Sequence, residues 1–224
     1  MYRERPSTIA GAVAWESAVA AARSDILPDG CMDLIWHDGH MFIAGPDTRP
    51  HAFEADVGTG MIAVRFPPGM APTIFGVPAC ELRNARVALD AVWSTSHVRQ
   101  LSEDVDAEGA RAIERMATTR LRELGRSDPL IGTIAGLAQG NTPVRSIAHH
   151  VGLGERQLHR RCLDAFGYGA KTLTRIMRMR QAIDHARAGR PLAETAATAG
   201  YADQAHLARD VRALTGRTLT NLLG

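Results

Sequence analysis

The fold is decided by two stretches that share one pattern: PVRSIAHHVGLGERQLHRRCLDAFG (residues 143–167) and PLAETAATAGYADQAHLARDVRALTG (residues 191–216). Pro143 recurs as Pro191, 48 residues later, and the glycine at the turn recurs at the same distance. The closing glycine recurs after 49 residues, so one residue has been inserted after the turn. Each copy has apolar residues at helical spacing on both sides of its turn. The pattern predicts two copies of one helix–turn–helix unit.

A long helix is predicted between the two copies, because residues 170–188 keep an apolar stripe at a spacing of about 3.6 residues. Another helix is predicted over 129–139, where Asp128 and Pro129 are a typical helix start and Gly140 is a typical end. Residues 141–224 therefore read as an all-α unit, in which a connecting helix joins the two helix–turn–helix copies.

The front half has short apolar runs that are separated by turn-forming residues, a pattern typical of strands. The runs are Ala12–Trp15, Met32–Trp36, Met41–Ala44 and Met61–Phe66. Between the second and the third, Asp38-Gly39 predicts a tight hairpin turn, because both residue types tolerate positive φ angles. An amphipathic helix is predicted over 106–125.

These elements predict an α+β fold with three parts. Residues 1–98 form a small β-barrel or sandwich, residues 99–140 form a helical bridge, and residues 141–224 form the all-α domain.

Charge divides the chain at the same place. Residues 1–140 have 13 arginines and 18 acidic residues, whereas residues 141–224 have 13 basic and 6 acidic residues. The front is net acidic and the back is net basic, which makes the back a candidate for binding a polyanion. A basic surface that is merely well solvated is the alternative.

Composition argues against several classes of protein. The chain is 45% hydrophobic and 22% charged, as globular domains are. No apolar stretch reaches the ~18–20 residues of a membrane span, and the N-terminus lacks the apolar segment of a secretory signal. The three cysteines lie far apart, which argues against a disulfide framework or a structural zinc site. We expect a cytoplasmic protein with no cofactor and no membrane partner.

The outward face of the second helix in each copy is rich in arginine. If Leu158 faces the core, helical geometry places Arg156 and Arg160 on the opposite side, and the same geometry places Arg209 and Arg212 outward in the second copy. Arginine is the side chain best suited to bidentate hydrogen bonds with guanine in the major groove. Base reading is the hypothesis, and solubilising surface charge is the alternative.

Both copies and their connection carry further motifs. They are Ile147-Ala148, Val151-Gly152-Leu153, Leu158-His159-Arg160 and Phe166-Gly167, then Arg175–Ala182, then Ala199–Arg209 and Leu214-Thr215-Gly216. With these motifs, residues 146–223 resemble the DNA-binding module of the AraC-type transcriptional regulators. The resemblance implies two recognition helices about 34 Å apart that read successive major-groove segments of double-stranded DNA.

The resemblance and the helical geometry together give the candidate base readers. The predicted DNA-binding residues are Arg156, Gln157, His159 and Arg160 in the first copy, and Gln204, Ala205, His206, Arg209 and Arg212 in the second. The chain departs from the family pattern at four places. Cys162 and Val211 stand where the family usually has Phe, and Gly154 replaces the usual Ser or Thr cap. The Pro that is common near the C-terminus is absent around Thr218-Leu219-Thr220.

A looser similarity is carried by the front motifs Leu27–Ile35, Val64–Gly69 and Phe75–Ala79. They resemble an uncharacterised N-terminal domain that precedes such modules, which implies a cupin-like β fold that senses a ligand or dimerises. We therefore expect a small-molecule effector and a homodimer through this domain. The candidate pocket residues are Trp15, Trp36, Phe66 and Phe75, with core packing as the alternative for each.

The prediction is a sequence-specific DNA-binding transcriptional regulator that is not an enzyme, and two alternatives stay open. A cupin-like fold with His37, His40 and His51 as metal ligands would make a metal-dependent enzyme with a helical appendage, although no nearby Glu completes a ligand set. The other alternative is a helical protein–protein adaptor without DNA binding. Cys31 and Cys80 are candidate redox sensors if their thiols have a low pKa.

Overall fold

The computed structural model describes residues 2–18, 23–54, 59–125 and 128–223. Its strands are β1 (Tyr2–Pro6), β2 (Val13–Ala18), β3 (Arg23–Ile26), β4 (Met32–His37), β5 (His40–Ala44), β6 (His51–Glu54), β7 (Gly60–Phe66) and β8 (Arg86–Ala88). Six of them form one antiparallel sheet in the order β1-β2-β7-β4-β5-β8, and β3 pairs with β6 in a second, two-stranded sheet.

The predicted hairpin is confirmed. His37 at the end of β4 pairs with His40 at the start of β5, and the turn residues Asp38 and Gly39 have φ angles of 48° and 76°. Positive φ at both central positions is the geometry of a two-residue turn that matches the twist of the strands.

Successive side chains of a strand point to opposite faces of the sheet, and in the large sheet both faces carry apolar side chains. Leu34, Ile43 and Phe66 are fully buried on one face, which packs against three helices. These helices are α1 (Ala71–Phe75), α2 (Thr95–Glu108) and α3 (Ala110–Glu123). The opposite face carries a smaller cluster of Trp15, Ile35, Ala44 and Ala63.

The predicted bridge divides between two cores. The helix expected over 106–125 is broken at Gly109, whose φ of 68° and ψ of −150° end α2 and begin α3. Both helices belong to the N-terminal core, and α2 begins at Thr95, inside the segment expected to be β-rich. The next helix, α4 (Pro129–Gln139), buries Ile131 and Ile134 in the C-terminal core instead.

The C-terminal unit contains the predicted pair of helix–turn–helix copies. Its helices after α4 are α5 (Val144–His150), α6 (Glu155–Phe166), α7 (Ala170–Arg187), α8 (Leu192–Thr198), α9 (Gln204–Thr215) and α10 (Leu219–Leu223). The first copy is α5 and α6, the second is α8 and α9, and α7 connects them. None of the described helices is long and apolar enough to cross a membrane.

The end of α6 packs directly on the N-terminal unit. A Cβ added to Gly167, which ends α6 with a φ of 79°, would lie 2.7 Å from the Pro46 Cγ and 3.1 Å from the Ala79 carbonyl oxygen. The Gly167 carbonyl accepts a hydrogen bond from Arg83 Nη1 at 3.2 Å. Only glycine fits this combination of left-handed backbone and close approach.

Candidate nucleic-acid interface and sensor cavity

Helix α6 separates a buried face from a polar face. Leu158, Cys162 and Phe166 are at most 1% exposed. The predicted readers on this helix are all exposed: Arg156, Gln157, His159 and Arg160. Gly154 has no side chain to cap the helix, and the Gln157 Oε1 instead accepts a hydrogen bond from the Gly154 N–H at 3.1 Å. Gln157 therefore caps its own helix.

Helix α9 has the same division and a stronger cap. The Asp203 Oδ1 accepts a hydrogen bond from the His206 N–H at 2.6 Å, which satisfies a free donor at the helix start. Leu207 and Val211 are buried, whereas Gln204, Ala205, Arg209 and Arg212 are exposed. His206 is half-buried, because its ring packs edge-on against Tyr201 at a centroid distance of 5.1 Å.

The two copies present their arginines in equivalent ways. Arg160 follows buried Leu158 by two residues, and Arg209 follows buried Leu207 by two residues. Within the described residues, neither guanidinium has a hydrogen bond or an ion pair, and the same holds for Arg156 and Arg212. These side chains are exposed and free to donate to an outside acceptor.

The second copy is held to the connecting helix by a charged cluster that the sequence did not reveal. The Asp210 carboxylate, 8% exposed, accepts hydrogen bonds from Arg175 Nε at 2.9 Å and from Arg178 Nη2 at 3.1 Å. Tyr201 donates to the same carboxylate at 3.3 Å, and the Arg178 guanidinium lies 4.2 Å above the Tyr201 ring. Burial alone would raise the pKa of Asp210, but the two arginines hold that pKa below its usual value. The partner of Arg175 and Arg178 lies more than 30 residues away in the chain, so no local sequence signal identifies this cluster.

The first recognition helix also borders the N-terminal unit. A crevice of about 440 Å³ is lined by Gln157, Arg160 and Arg161 of α6 on one side and by Pro72 and Thr73 on the other. Next to it, Arg161 Nη1 lies 2.7 Å from the Asp128 Oδ2 in an exposed ion pair. The face of α6 that carries Arg160 therefore adjoins the sheet domain.

A cavity of about 240 Å³ lies between the two sheets. Side chains from both sheets line it: Trp15, Ile35, Phe42, Met61, Arg65 and Arg86 from the large sheet, and Ile26 and Phe53 from the small one. Asp29, Cys31, Asp33 and Asp47 also reach it. Aromatic walls with a few convergent charged groups are the usual make-up of a small-molecule site.

The charged groups of this cavity form two sets. Arg86 Nη1 and Nη2 bind the two oxygens of Asp47 at 3.2 and 2.7 Å in a closed bidentate pair. Arg65 Nε lies between Asp33 and Asp29, at 3.4 and 3.6 Å from their nearest oxygens. Burial raises the pKa of Asp33 to about 6, with Asp29 adding to the shift, although Arg65 and a hydrogen bond from Trp15 Nε1 at 2.6 Å oppose it.

The four candidate pocket residues lie in different places. Trp15 lines the cavity between the sheets, and Trp36 lines a separate open groove of about 880 Å³, where its indole N–H donates to Ser102 Oγ at 3.0 Å. Phe66 and Phe75 are at most 1% exposed and pack edge-on against each other at 6.0 Å. Both belong to the core on the helix-covered face of the sheet, which corrects their assignment to a pocket wall.

The alternative chemistries lack an assembled site among the described residues, although His37 and His40 are partners across the β4–β5 hairpin. His37 Nδ1 lies 3.0 Å from the Gly60 carbonyl oxygen, and burial lowers the pKa of His51. Among the described residues, no group of three or more His, Cys, Asp or Glu side chains is arranged to hold a metal ion. Burial raises the pKa of the Cys31 thiol, which disfavours the reactive thiolate, and it raises the pKa of Cys162 to about 11.

Comparisons with known protein families agree with this division of the chain. Residues 147–223 match a family described as "Helix-turn-helix domain", and residues 12–88 match one described as "Domain of unknown function (DUF6597)". A search of curated proteins gave no match.

Solved structures of similar architecture are also known. Two crystal structures of ToxT from Vibrio cholerae align with TM-scores of 0.51 and 0.50, at 9% and 10% identity, over 99% and 95% of this chain and 97% and 96% of theirs. A probable AraC family transcriptional regulator from Rhodopseudomonas palustris aligns over 43% of this chain and 95% of its own, with 16% identity and a TM-score of 0.38. At these identities the likeness to ToxT concerns the fold. Together the comparisons show a ToxT-like fold, in which a helix-turn-helix domain at residues 147–223 follows an N-terminal domain of unknown function.

Proposed function

We propose that this protein is a sequence-specific regulator whose two recognition helices, α6 and α9, read adjacent major-groove segments of one DNA site. The single observation that carries the proposal is the equivalent, exposed and unpaired placement of Arg160 and Arg209 in the two copies. A single exposed arginine is common on protein surfaces. Exposed arginines at equivalent positions of two helix–turn–helix copies indicate that both copies bind one ligand whose surface repeats. Duplex DNA is such a ligand.

Charge supports the same partner. The segment that contains both copies has 13 basic and 6 acidic residues, so non-specific attraction to phosphates adds to base reading. Phosphate contacts would set the affinity and its dependence on salt, whereas the arginines that face base edges would set the sequence preference.

We also propose that a small-molecule effector binds the cavity between the sheets and controls DNA binding through α6. Two loops support this route. Asp29 and Cys31 flank Gly30, and a Cβ added to Gly30 would lie 3.8 Å from the hydroxyl oxygen of Tyr168, the second residue after α6. Asp47 follows Pro46, which packs on Gly167. A ligand that moves either loop therefore acts on residues that end the first recognition helix.

Base reading is tested by selecting bound sequences from a random DNA pool and measuring affinities for single-base variants of the selected site. Arg209→Ala and Arg160→Ala are each expected to cost about 1–3 kcal/mol and to relax preference at one base pair. Arg99→Ala is the matched control, since Arg99 is exposed and unpaired among the described residues but lies on α2. An equal loss of affinity on all sequences would make the altered arginine a phosphate contact and refute its role in base reading.

The adaptor alternative predicts a different result, namely that no sequence is enriched and no DNA fragment changes mobility. A homodimer through the N-terminal domain remains a prediction. A cytoplasmic location also remains a prediction, because the cytoplasm is where the proposed DNA partner is expected.

A further inference from the structure

The cavity between the sheets has an excess of negative charge at one end. Asp29 and Asp33 line the cavity beside Arg65 Nε, and Arg65 Nη1 also lies 3.2 Å from Oε1 of Glu4, an exposed residue outside the cavity lining. Asp29 Oδ1 accepts a hydrogen bond from the Cys31 N–H, and Asp33 Oδ1 accepts one from Trp15. In the part of the chain that the structure describes, no hydrogen-bond donor reaches the second oxygen of either aspartate. Asp33 Oδ2 is thus an open acceptor, whereas Asp29 Oδ2 has only the ion pair with Arg65 Nε at 3.6 Å.

The other guanidinium of the cavity does not offset this excess. Arg86 is occupied by Asp47 through both terminal nitrogens, and its Nη1 also donates to the Ala85 carbonyl at 3.0 Å. Both terminal nitrogens are therefore engaged, although the buried Nε of Arg86 has no hydrogen-bond partner among the described residues. An anionic ligand would meet this occupied pair or compete with three carboxylates for Arg65.

The remaining walls are apolar and aromatic. Trp15, Phe42 and Phe53 line the cavity together with Tyr2 and Met61. Aromatic faces attract an organic cation as well as an apolar body. The volume, about 240 Å³, lies below the roughly 300–1,000 Å³ of sites for drug-sized ligands, so the occupant is small.

A second observation marks the same region as incomplete. Tyr168 is 2% exposed, and among the described residues its hydroxyl has no hydrogen-bond partner. Burial raises the pKa of this phenol, with Asp29, Cys31 and Asp47 adding to the shift, so the hydroxyl keeps its proton as a donor. Buried polar groups normally have partners. Because the Tyr168 hydroxyl is an unsatisfied donor beside the loop Asp29–Cys31, a movement of that loop can bring an acceptor within its reach.

We propose that the effector of this protein is a small amphipathic amine, with its ammonium group on Asp29 and Asp33 and its apolar body against the aromatic walls, and that Tyr168 transmits its binding to α6. The assignment rests on the proposed function, because it names the ligand class of the same cavity. Binding itself is a matter of charge complementarity: the ammonium brings the missing positive charge and up to three donors to the carboxylate oxygens of Asp29 and Asp33. Movement of Asp29 then offers the Tyr168 hydroxyl an acceptor.

The test compares three probes of similar size on the unaltered full-length protein: 2-phenylethylamine, 2-phenylethanol and phenylacetate. Binding is followed by calorimetry and by intrinsic tryptophan fluorescence, because Trp15 lines the cavity. We expect the amine to bind at least about tenfold more tightly than the alcohol, and the carboxylate to bind least. Tighter binding of the carboxylate, or equal binding of all three, overturns the amine assignment. Binding of none overturns the assignment of a ligand of this class and size to the cavity.

Variants locate the site. Asp33→Asn and Asp29→Asn are each expected to weaken amine binding about tenfold, whereas Asp90→Asn, an exposed carboxylate in the separate groove, is expected to leave it unchanged. Equal affinity in all three variants would place the amine elsewhere. The probe comparison needs no variant, so it holds even if Asp33→Asn does not fold.

Transmission is tested with Tyr168→Phe, which keeps the ring and removes the hydroxyl. We expect this variant to bind the amine like the parent protein while the amine no longer changes its affinity for selected DNA. A coupling that survives the substitution overturns the role of Tyr168. DNA affinity without any probe is measured in the same experiment, so failure of the regulator proposal is distinguishable from failure of the amine proposal.

Discussion

Replacing Asp210 by Ala is expected to loosen the second recognition helix from the connecting helix. The substitution leaves Arg178, 16% exposed, and Arg175, 36% exposed, without their shared carboxylate. Removing one partner of a buried ion pair costs about 3–5 kcal/mol, and solvent reaching Arg175 reduces the penalty, so we expect a loss of about 2–4 kcal/mol in the free energy of unfolding.

Urea unfolding followed by circular dichroism measures this loss. Asp184→Ala is the matched control, because Asp184 is an exposed residue of α7 with no ion pair among the described residues, and its replacement is expected to change stability by no more than about 0.5 kcal/mol. Asp210→Ala is also expected to weaken DNA binding, although Asp210 is buried away from the proposed interface. The reasoning is refuted if Asp210→Ala unfolds at the same urea concentration as the parent.

The pH dependence gives an independent check of the same cluster. Because the folded pKa of Asp210 lies below its ordinary value of 3.8, the ionised carboxylate stabilises the fold above that value. This contribution is lost as the pH falls through the lower, folded pKa. The stability difference between the parent and Asp210→Ala should therefore persist at neutral pH and shrink in strong acid. A difference that grows on acidification would contradict the assignment.

Gly167→Ala is expected to destabilise the contact between the two units, and Gly216→Ala, at the equivalent position of the second copy, is its control. Both glycines have positive φ, but a Cβ at Gly216 meets nothing within 4 Å, so Gly167→Ala should cost about 1–3 kcal/mol more in urea unfolding. For Asp33, the raised pKa of about 6 means that the folded state holds the proton more tightly than the unfolded state. Between pH 7.5 and 5 the parent should therefore gain about 1 kcal/mol of stability relative to Asp33→Asn.

Each of these two predictions has an outcome that contradicts it. Equal stability of the two glycine variants would mean that the contact at the end of α6 accommodates a Cβ without a loss in the free energy of unfolding. Parallel pH profiles of the parent and Asp33→Asn would mean that this carboxyl titrates as it does in the unfolded chain.

The C-terminal fold was predictable because its signals are local and repeated. Helix starts such as Asp128-Pro129 and the glycine ends satisfy backbone groups within a few residues, and the duplication at 48 and 49 residues supplied an internal check. The Asp38-Gly39 hairpin was predictable for the same reason. The orientation of Arg160 and Arg209 followed from helical periodicity alone, since a buried leucine fixes which side is outward.

What escaped prediction depends on contacts between distant parts of the chain. The strands β1, β3, β6 and β8 are short or polar, and they are strands because a neighbour completes their hydrogen bonds. Nothing near Asp210 in sequence identifies Arg178 as its partner. Phe66 and Phe75 show the same limit, because an aromatic residue in a strand has a core side and a cavity side, and only the packed sheet decides between them.

Helix α4 has a practical consequence for dissecting the protein. A fragment that starts at residue 141, where the composition changes, would leave behind Ile131, Ile134 and Ala138, and the surface they cover would become open to water. A fragment that starts at about residue 128 keeps α4 together with its Asp128 cap. We expect it to be the shortest C-terminal fragment that remains monodisperse in isolation. The natural place to cut this chain is thus upstream of the boundary that its charge pattern suggests.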